Sequence, residues 1–144
     1  MSIKKQEFYE GAALHLLARG RGTLTLRHEP PCFIADDRLV LYLKYCTKVR
    51  SPWGFTLGAS ELDHLGEYDL RFDVVLGFIC GGDGVAAVRY DEVRQITAIR
   101  TDVFHIACYR KHHEHYEVSG PSGTVPHKVA PSDWPRVLDK KRAR

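Results

Sequence analysis

A lysine stands late in an apolar run, Leu39-Val40-Leu41-Tyr42-Leu43-Lys44-Tyr45, whose alternation is that of a strand. Residues two apart on a strand share a face, so Leu39, Leu41 and Leu43 point one way while Val40, Tyr42 and Lys44 point the other. The leucine face belongs to a core. The opposite face carries a phenol and an ammonium group, the equipment of an active-site lysine. The plainer reading is a lysine stem that snorkels from the sheet edge to solvent. Lys48 and Arg50 follow closely, and Trp53 and Phe55 come directly after them. Cations neutralise phosphates and aromatic rings stack on bases, so Lys48, Arg50 and Trp53 are candidate nucleic-acid contacts. The same rings would also serve to pack over a sheet edge.

Other chemistry-bearing groups are less specific. His105, His112, His113 and His115 form a loose group near Cys108 and Glu114. A zinc site needs three or four convergent ligands, and this spacing matches no recognised ligand pattern, so surface histidines in a polar hairpin are expected. The run Gly81-Gly82-Asp83-Gly84 lacks the lysine and helix of a phosphate loop and reads as a hairpin turn. The four cysteines, Cys32, Cys46, Cys80 and Cys108, contain no C-x-x-C pair and sit in apolar contexts, as expected of reduced structural thiols.

The elements that must position these groups follow from periodicity and punctuation. Residues 4–19 read as a helix with Glu10, Leu14 and Leu17 on one stripe, and Gly20 and Gly22 stop it. Strands are expected over 23–27, 32–35 and 38–46, separated by Pro30-Pro31 and by Asp36-Asp37. The first helix should cover the Tyr42/Lys44 side of this sheet. After Ser51-Pro52-Trp53-Gly54 an extended run resumes at 55–57. A short helix follows over 60–66, with Ser60 as its N-cap and Glu61 and Asp63 in its first turn. Residues 72–80 are almost continuously apolar, which suits a strand buried on both faces. Residues 85–90 complete a hairpin, 91–95 form a helical turn, and 103–110 and 114–118 give two more strands. From Gly120 on, Gly, Pro, Ser and Lys/Arg dominate, so the expectation is one domain over 1–119 and an extended basic tail over 120–144, with Arg136, Lys140, Lys141, Arg142 and Arg144 near its end.

The fold class is therefore α/β (α+β), a mixed central β-sheet flanked by helices. With 144 residues, 44% of them hydrophobic and 27% charged, one ordinary globular domain is expected. A net charge of +3 is too small to identify a nucleic-acid partner by itself. No apolar run approaches the roughly 18–20 residues that span a bilayer, and Met1–Glu7 lacks the apolar segment of a secretory signal. A cytoplasmic protein without a membrane partner is the expectation.

The order of these elements, with the residues they carry, resembles the PD-(D/E)XK nuclease superfamily, the restriction-endonuclease-like fold. The resemblance spans residues 5–90. It rests on an opening helix with Glu10, three strands with Lys44 late in the third, the segment Phe55-Thr56-Leu57-Gly58-Ala59-Ser60-Glu61-Leu62, and the apolar strand Phe72-Asp73-Val74-Val75-Leu76-Gly77-Phe78-Ile79. Archaeal Holliday-junction resolvases, which belong to that superfamily, have a similar run between the lysine strand and the buried strand.

The resemblance implies a metal-dependent nuclease centre. In the family, an aspartate near the second strand and an acidic residue two before the lysine hold a divalent cation, while the lysine positions or activates the attacking water. A glutamate of the first helix often assists. Carried over residue by residue, Lys44 takes the lysine's place, Glu10 that of the helix glutamate, and Glu29 that of the metal-binding aspartate, with Mg2+ or Mn2+ as cofactor. Tyr42 stands where the second acidic ligand belongs. Two outcomes follow for a nucleic-acid-processing protein of this fold. One is a metal-dependent DNA endonuclease. The other is a catalytically degenerate module that binds DNA or a protein partner without cleaving. Two carboxylates converging on Lys44 would favour the first, and one or none the second. An unrelated α+β interaction domain would show no cleft beside Lys44. The resemblance also implies a homodimer, a common assembly in the superfamily.

Overall fold

The leucine alternation at 39–46 becomes strand β3, whose two faces enter two separate cores. The computed structural model describes residues 2–19 and 21–139. Helix α1 spans Lys5–Ala18, followed by β1 (Leu26–Glu29), β2 (Cys32–Ala35) and β3 (Leu39–Cys46). The two-residue turn at Pro30-Pro31 sets the register, pairing Glu29 with Cys32 and Leu26 with Ala35. This moves β1 toward the turn from the expected 23–27. Asp36 and Asp37 take left-handed backbone angles (φ 53° and 52°) and make the next turn, as their types suggested.

Strand β4 (Trp53–Gly58) leaves the first sheet, and α2 (Ala59–Asp69) carries the chain across to β5 (Asp73–Cys80). β5 lies parallel to β3, with Leu39 opposite Asp73 and Lys44 opposite Phe78. β6 (Gly84–Arg89) turns back antiparallel to β5, giving a five-stranded sheet in the order β1-β2-β3-β5-β6. After α3 (Tyr90–Ile96), β7 (Val103–Tyr109), β8 (Glu117–Gly120) and β9 (Gly123–Thr124) join β4 in an antiparallel sheet ordered β4-β7-β8-β9. A last short helix, α4, spans Asp133–Arg136. The class is the expected one, mixed α+β with helices about a mixed sheet. No helix among the described residues is long and apolar enough to cross a membrane.

One core lies between α1, α4 and the leucine face: Ala13 and Leu17 pack with Leu39, Leu41, Leu43, Val75 and Ile79. The other lies between the two sheets with α2 and α3, where Val40 and Tyr42 meet Phe55, Leu57, Leu62, Leu76, Phe78 and Ile106. Every residue of β5 is buried, because both cores use it. α1 thus covers the leucine face and not, as expected, the Tyr42/Lys44 side. Its apolar stripe needs an apolar partner, and the three leucines supply one, while the second sheet and α2 close over Tyr42.

The expectation of an extended tail from Gly120 fails for residues 120–139. Val125, Val129, Trp134 and Leu138 are buried, and the Trp134 indole N–H donates to the Ala13 carbonyl at 2.9 Å. Burying a Trp together with its N–H satisfied is a strong reason for this segment to dock. At Gly77 a Cβ would stand 2.9 Å from both Leu43 and Trp134, so the absent side chain is what lets the indole seat against β5. Composition hid these few apolar anchors among prolines, serines and cations. Lys140, Lys141, Arg142 and Arg144 of the expected basic end lie outside the described residues, as does Gly20.

Candidate functional site

Lys44 and Tyr42 do share a face, and the residue that joins them is Glu61 of α2. The Tyr42 hydroxyl donates to Glu61 Oε2, and Lys44 Nζ lies 3.3 Å from the same oxygen. The other oxygen, Oε1, accepts the Gly58 backbone N–H at 2.8 Å, closing the first turn of α2. Gly58, not Ser60, is the N-cap. Glu61 therefore does two jobs at once: it satisfies a helix-end donor that would otherwise lack a partner, and it delivers a carboxylate to the lysine strand.

The electrostatics follow from these contacts. Burial, the Glu61 hydrogen bond and the nearby negative charges of Glu61 and Glu10 push the Tyr42 phenol far above its ordinary range. Burial also pushes the Glu61 carboxyl up, but the donors from Tyr42, Gly58 and Lys44 outweigh it, and its pKa ends below the usual value. The centre thus holds a neutral phenol and an ionised carboxylate. The Lys44 and Glu61 side chains are 27% and 33% exposed, so the pair opens to solvent. A groove of about 450 Å³ runs past it, lined by Gln6, Pro31, Tyr42, Lys44, Tyr45 and Thr56. A second hollow of about 240 Å³ shares Pro31 and Tyr42 with it and adds Ser60, Glu61 and His64.

The other residues singled out by the resemblance take different positions. Glu10 is half-buried on α1, where its Oε2 accepts from Gln6 Nε2 at 3.0 Å. Stacking of Tyr9 on Tyr45, with ring centroids 5.0 Å apart, holds this part of α1 beside the end of β3. Glu10 contributes charge to the Tyr42 environment, but its hydrogen bond is with Gln6. Glu29, at the end of β1, accepts the Tyr68 hydroxyl at 2.7 Å and lies 3.3 Å from Arg27 Nε. The Tyr68 bond, then Arg27, lower its carboxyl against the opposing effect of desolvation, and Tyr68 in turn is pushed up to about 12. Lys44 is ion-paired with Glu61, while the carboxylates of Glu10 and Glu29 are bonded elsewhere.

The donor set does not fit a magnesium or manganese centre. Hard divalent cations take several oxygen ligands, and among the described residues no group of three or more His, Cys, Asp or Glu converges to hold a metal. Glu29, the expected metal ligand, is committed to Tyr68 and Arg27, and both oxygens of Glu61 already accept donors.

Of the two readings of Trp53, packing against the sheet holds and base stacking does not. Only 2% exposed, it donates its indole N–H to the Lys48 carbonyl at 2.9 Å and meets the Tyr116 ring edge-on, so no face is left for a base. Alternation along β4 turns Trp53, Phe55 and Leu57 inward together. Lys48 and Arg50 are exposed on the loop between β3 and β4. That loop rests on Gly81, where φ is +55° and a Cβ would lie 2.2 Å from the Lys48 carbonyl oxygen; only glycine serves there.

Residues 110–115 form a loop, so the expected strand over 114–118 starts later, and His112, His113 and His115 are exposed on that loop. The rings of His112 and His113 approach to 3.7 Å, and His105 points outward from β7 opposite Thr56. In the sequence Glu61 reads as a helix-start charge within the Phe55–Leu62 segment, with no role at Lys44. Its signal was its place in the first turn of the helix that leads from β4 to the strand paired with β3. No protein-family model, curated protein or solved structure matches this chain.

Proposed function

We propose that the protein is a nucleic-acid-binding module of nuclease-like, restriction-endonuclease-like arrangement, which grips the phosphate backbone beside Lys44 without metal-dependent cleavage. The observation that carries this reading is the Lys44–Glu61 pair: one carboxylate, not two, bonded to a lysine on the wall of an open groove. An ammonium held in place by a carboxylate can exchange that partner for a phosphate oxygen. The chain then leads directly into Lys48 and Arg50, whose exposed cations extend the contact. Phosphate contacts of this kind need no metal and carry affinity through counterion release.

The test is binding of fluorescent duplex, branched and single-stranded DNA across a salt series. The logarithm of the binding constant should fall linearly with the logarithm of salt concentration. Lys44→Ala, Lys48→Ala and Arg50→Ala should each flatten the slope by about one phosphate contact. Absence of salt-sensitive binding in the wild type would remove the proposal. Cleavage in Mg2+ or Mn2+ that disappears in Glu61→Gln would replace it with the endonuclease reading.

A further inference from the structure

We propose that the cleft between the 47–51 loop and the 110–115 loop is a binding site for a phosphate monoester, the terminal phosphate of a nucleotide or of a nucleic-acid strand. The cleft is a different cavity from the Lys44 groove, with Arg50 the one cation named for both, and Lys111 and Arg110 belong to it alone. Its volume is about 650 Å³, and Arg50, Arg110, Lys111, His112 and His113 line it above Trp53 and Asp83.

Arg110 is the fixed element. Its Nη1 donates to Asp83 Oδ2 at 2.7 Å and its Nε to the Glu114 carbonyl at 2.5 Å. The guanidinium lies over the Tyr116 ring, 5.4 Å from the centroid, and the Tyr116 hydroxyl donates to the same Asp83 oxygen at 2.5 Å. Tyr116 is fully buried and anchors this frame from below, while the Arg110 and Asp83 side chains, 22% and 31% exposed, reach the cleft. These bonds use two of the five guanidinium N–H donors and leave the others for a ligand. An arginine held in this way loses little entropy when it binds an oxyanion. The two walls are also tied to each other, since Ser51 Oγ donates to the Arg110 carbonyl at 3.0 Å.

A purely structural role for Arg110, bracing the β5–β6 hairpin turn against β7, accounts for Asp83 but not for what surrounds it. Arg50 and Lys111 line the same cleft, and neither makes an ion pair among the described residues. Arg50, Arg110 and Lys111 against the one carboxylate of Asp83 leave a formal charge of +2, with the histidines neutral. A phosphate monoester carries about −1.5 to −2 near neutral pH, and a backbone diester only about half of that. The cleft also exceeds what a bare phosphate fills and is in the range of small-molecule sites, roughly 300–1,000 Å³. Val49 and the close His112/His113 rings supply walls for the organic part.

The experiment titrates the full chain with adenosine 5′-monophosphate, with adenosine, and with one oligonucleotide bearing either phosphate or hydroxyl at its ends. Calorimetry and anisotropy read the binding. The monophosphate should bind at least about tenfold more tightly than adenosine, the effect of one well-made charge-assisted contact. Arg50→Ala and Lys111→Ala, both at exposed positions, should each reduce that preference about tenfold with an unchanged circular dichroism spectrum. Lys44→Ala should leave it intact. A phosphorylated oligonucleotide that outcompetes the mononucleotide identifies a strand end as the ligand, and the reverse order identifies a free nucleotide; both support the site. Equal binding of adenosine and its monophosphate, or wild-type preference in the two cleft variants, overturns it. Loss of oligonucleotide binding in Lys44→Ala with the monophosphate preference retained separates this site from the groove.

Discussion

The Glu61 carboxylate accepts the hydroxyl of Tyr42, a partner nineteen residues earlier in the chain, and through the same oxygen meets Lys44. Tyr42 sits two residues before Lys44, where the nuclease pattern has an acid. The acid next to the lysine comes from the following helix instead, with the tyrosine hydroxyl bonded to it. One carboxylate thereby neutralises one ammonium and holds one phenol.

Glu61→Gln tests this relationship. The substitution keeps the shape and removes the charge that helps hold the Tyr42 phenol above its ordinary range. Ultraviolet titration should show one tyrosine ionising at lower pH than in the wild type. The domain should lose about 1 kcal/mol in urea unfolding, because a charge-assisted hydrogen bond is lost at a partly exposed site. With Lys44 released from its partner, DNA affinity should rise. An unchanged tyrosine titration would mean that the contact does not persist in solution.

Trp134→Ala tests whether residues 120–139 belong to the folded domain. Removing a fully buried indole from between α1 and β5 should cost about 3–5 kcal/mol in urea unfolding. A loss below about 1 kcal/mol would restore the view of this segment as an undocked tail.

His127 gives a pH signature to the same segment. Its Nε2 contacts the Glu92 carboxylate on α3, and that hydrogen bond raises the imidazole pKa above 6.5, against a smaller desolvation effect. A group whose pKa is raised on folding favours the folded state while it is protonated in both states. The contribution is therefore complete below about pH 6.5 and is lost as pH rises through the raised folded value. Wild type and His127→Gln, compared by thermal unfolding, should differ most near about pH 5.5 and converge above the folded pKa. A difference that grows as pH rises would reverse the assignment. The side chain is 55% exposed, so the effect is modest and screened by salt.

Local pattern carried most of the secondary structure. The alternation of 39–46 assigned Leu39, Leu41 and Leu43 to one core, and the almost continuous apolar run over 72–80 suited a strand buried on both sides. Glycines and paired prolines or aspartates marked the turns. Such features are read within a few residues, because the backbone period alone determines which side chains share a face.

Period assigns a face without naming what covers it. Whether α1 or the second sheet lay over Tyr42 depended on which surface could bury Ala13 and Leu17, a matter of packing between distant segments. Trp53 looked like a base-stacking aromatic because nothing local records that β4 turns its alternate residues toward the core. Trp134 is an isolated apolar residue in a polar stretch, and its burial depends on the gap left by Gly77. The acid beside Lys44 was the least legible of all. Glu61 reaches it only because the chain crosses from β4 through α2 to a strand parallel with β3, and that crossover, not the spacing of residues, brings the carboxylate to the lysine.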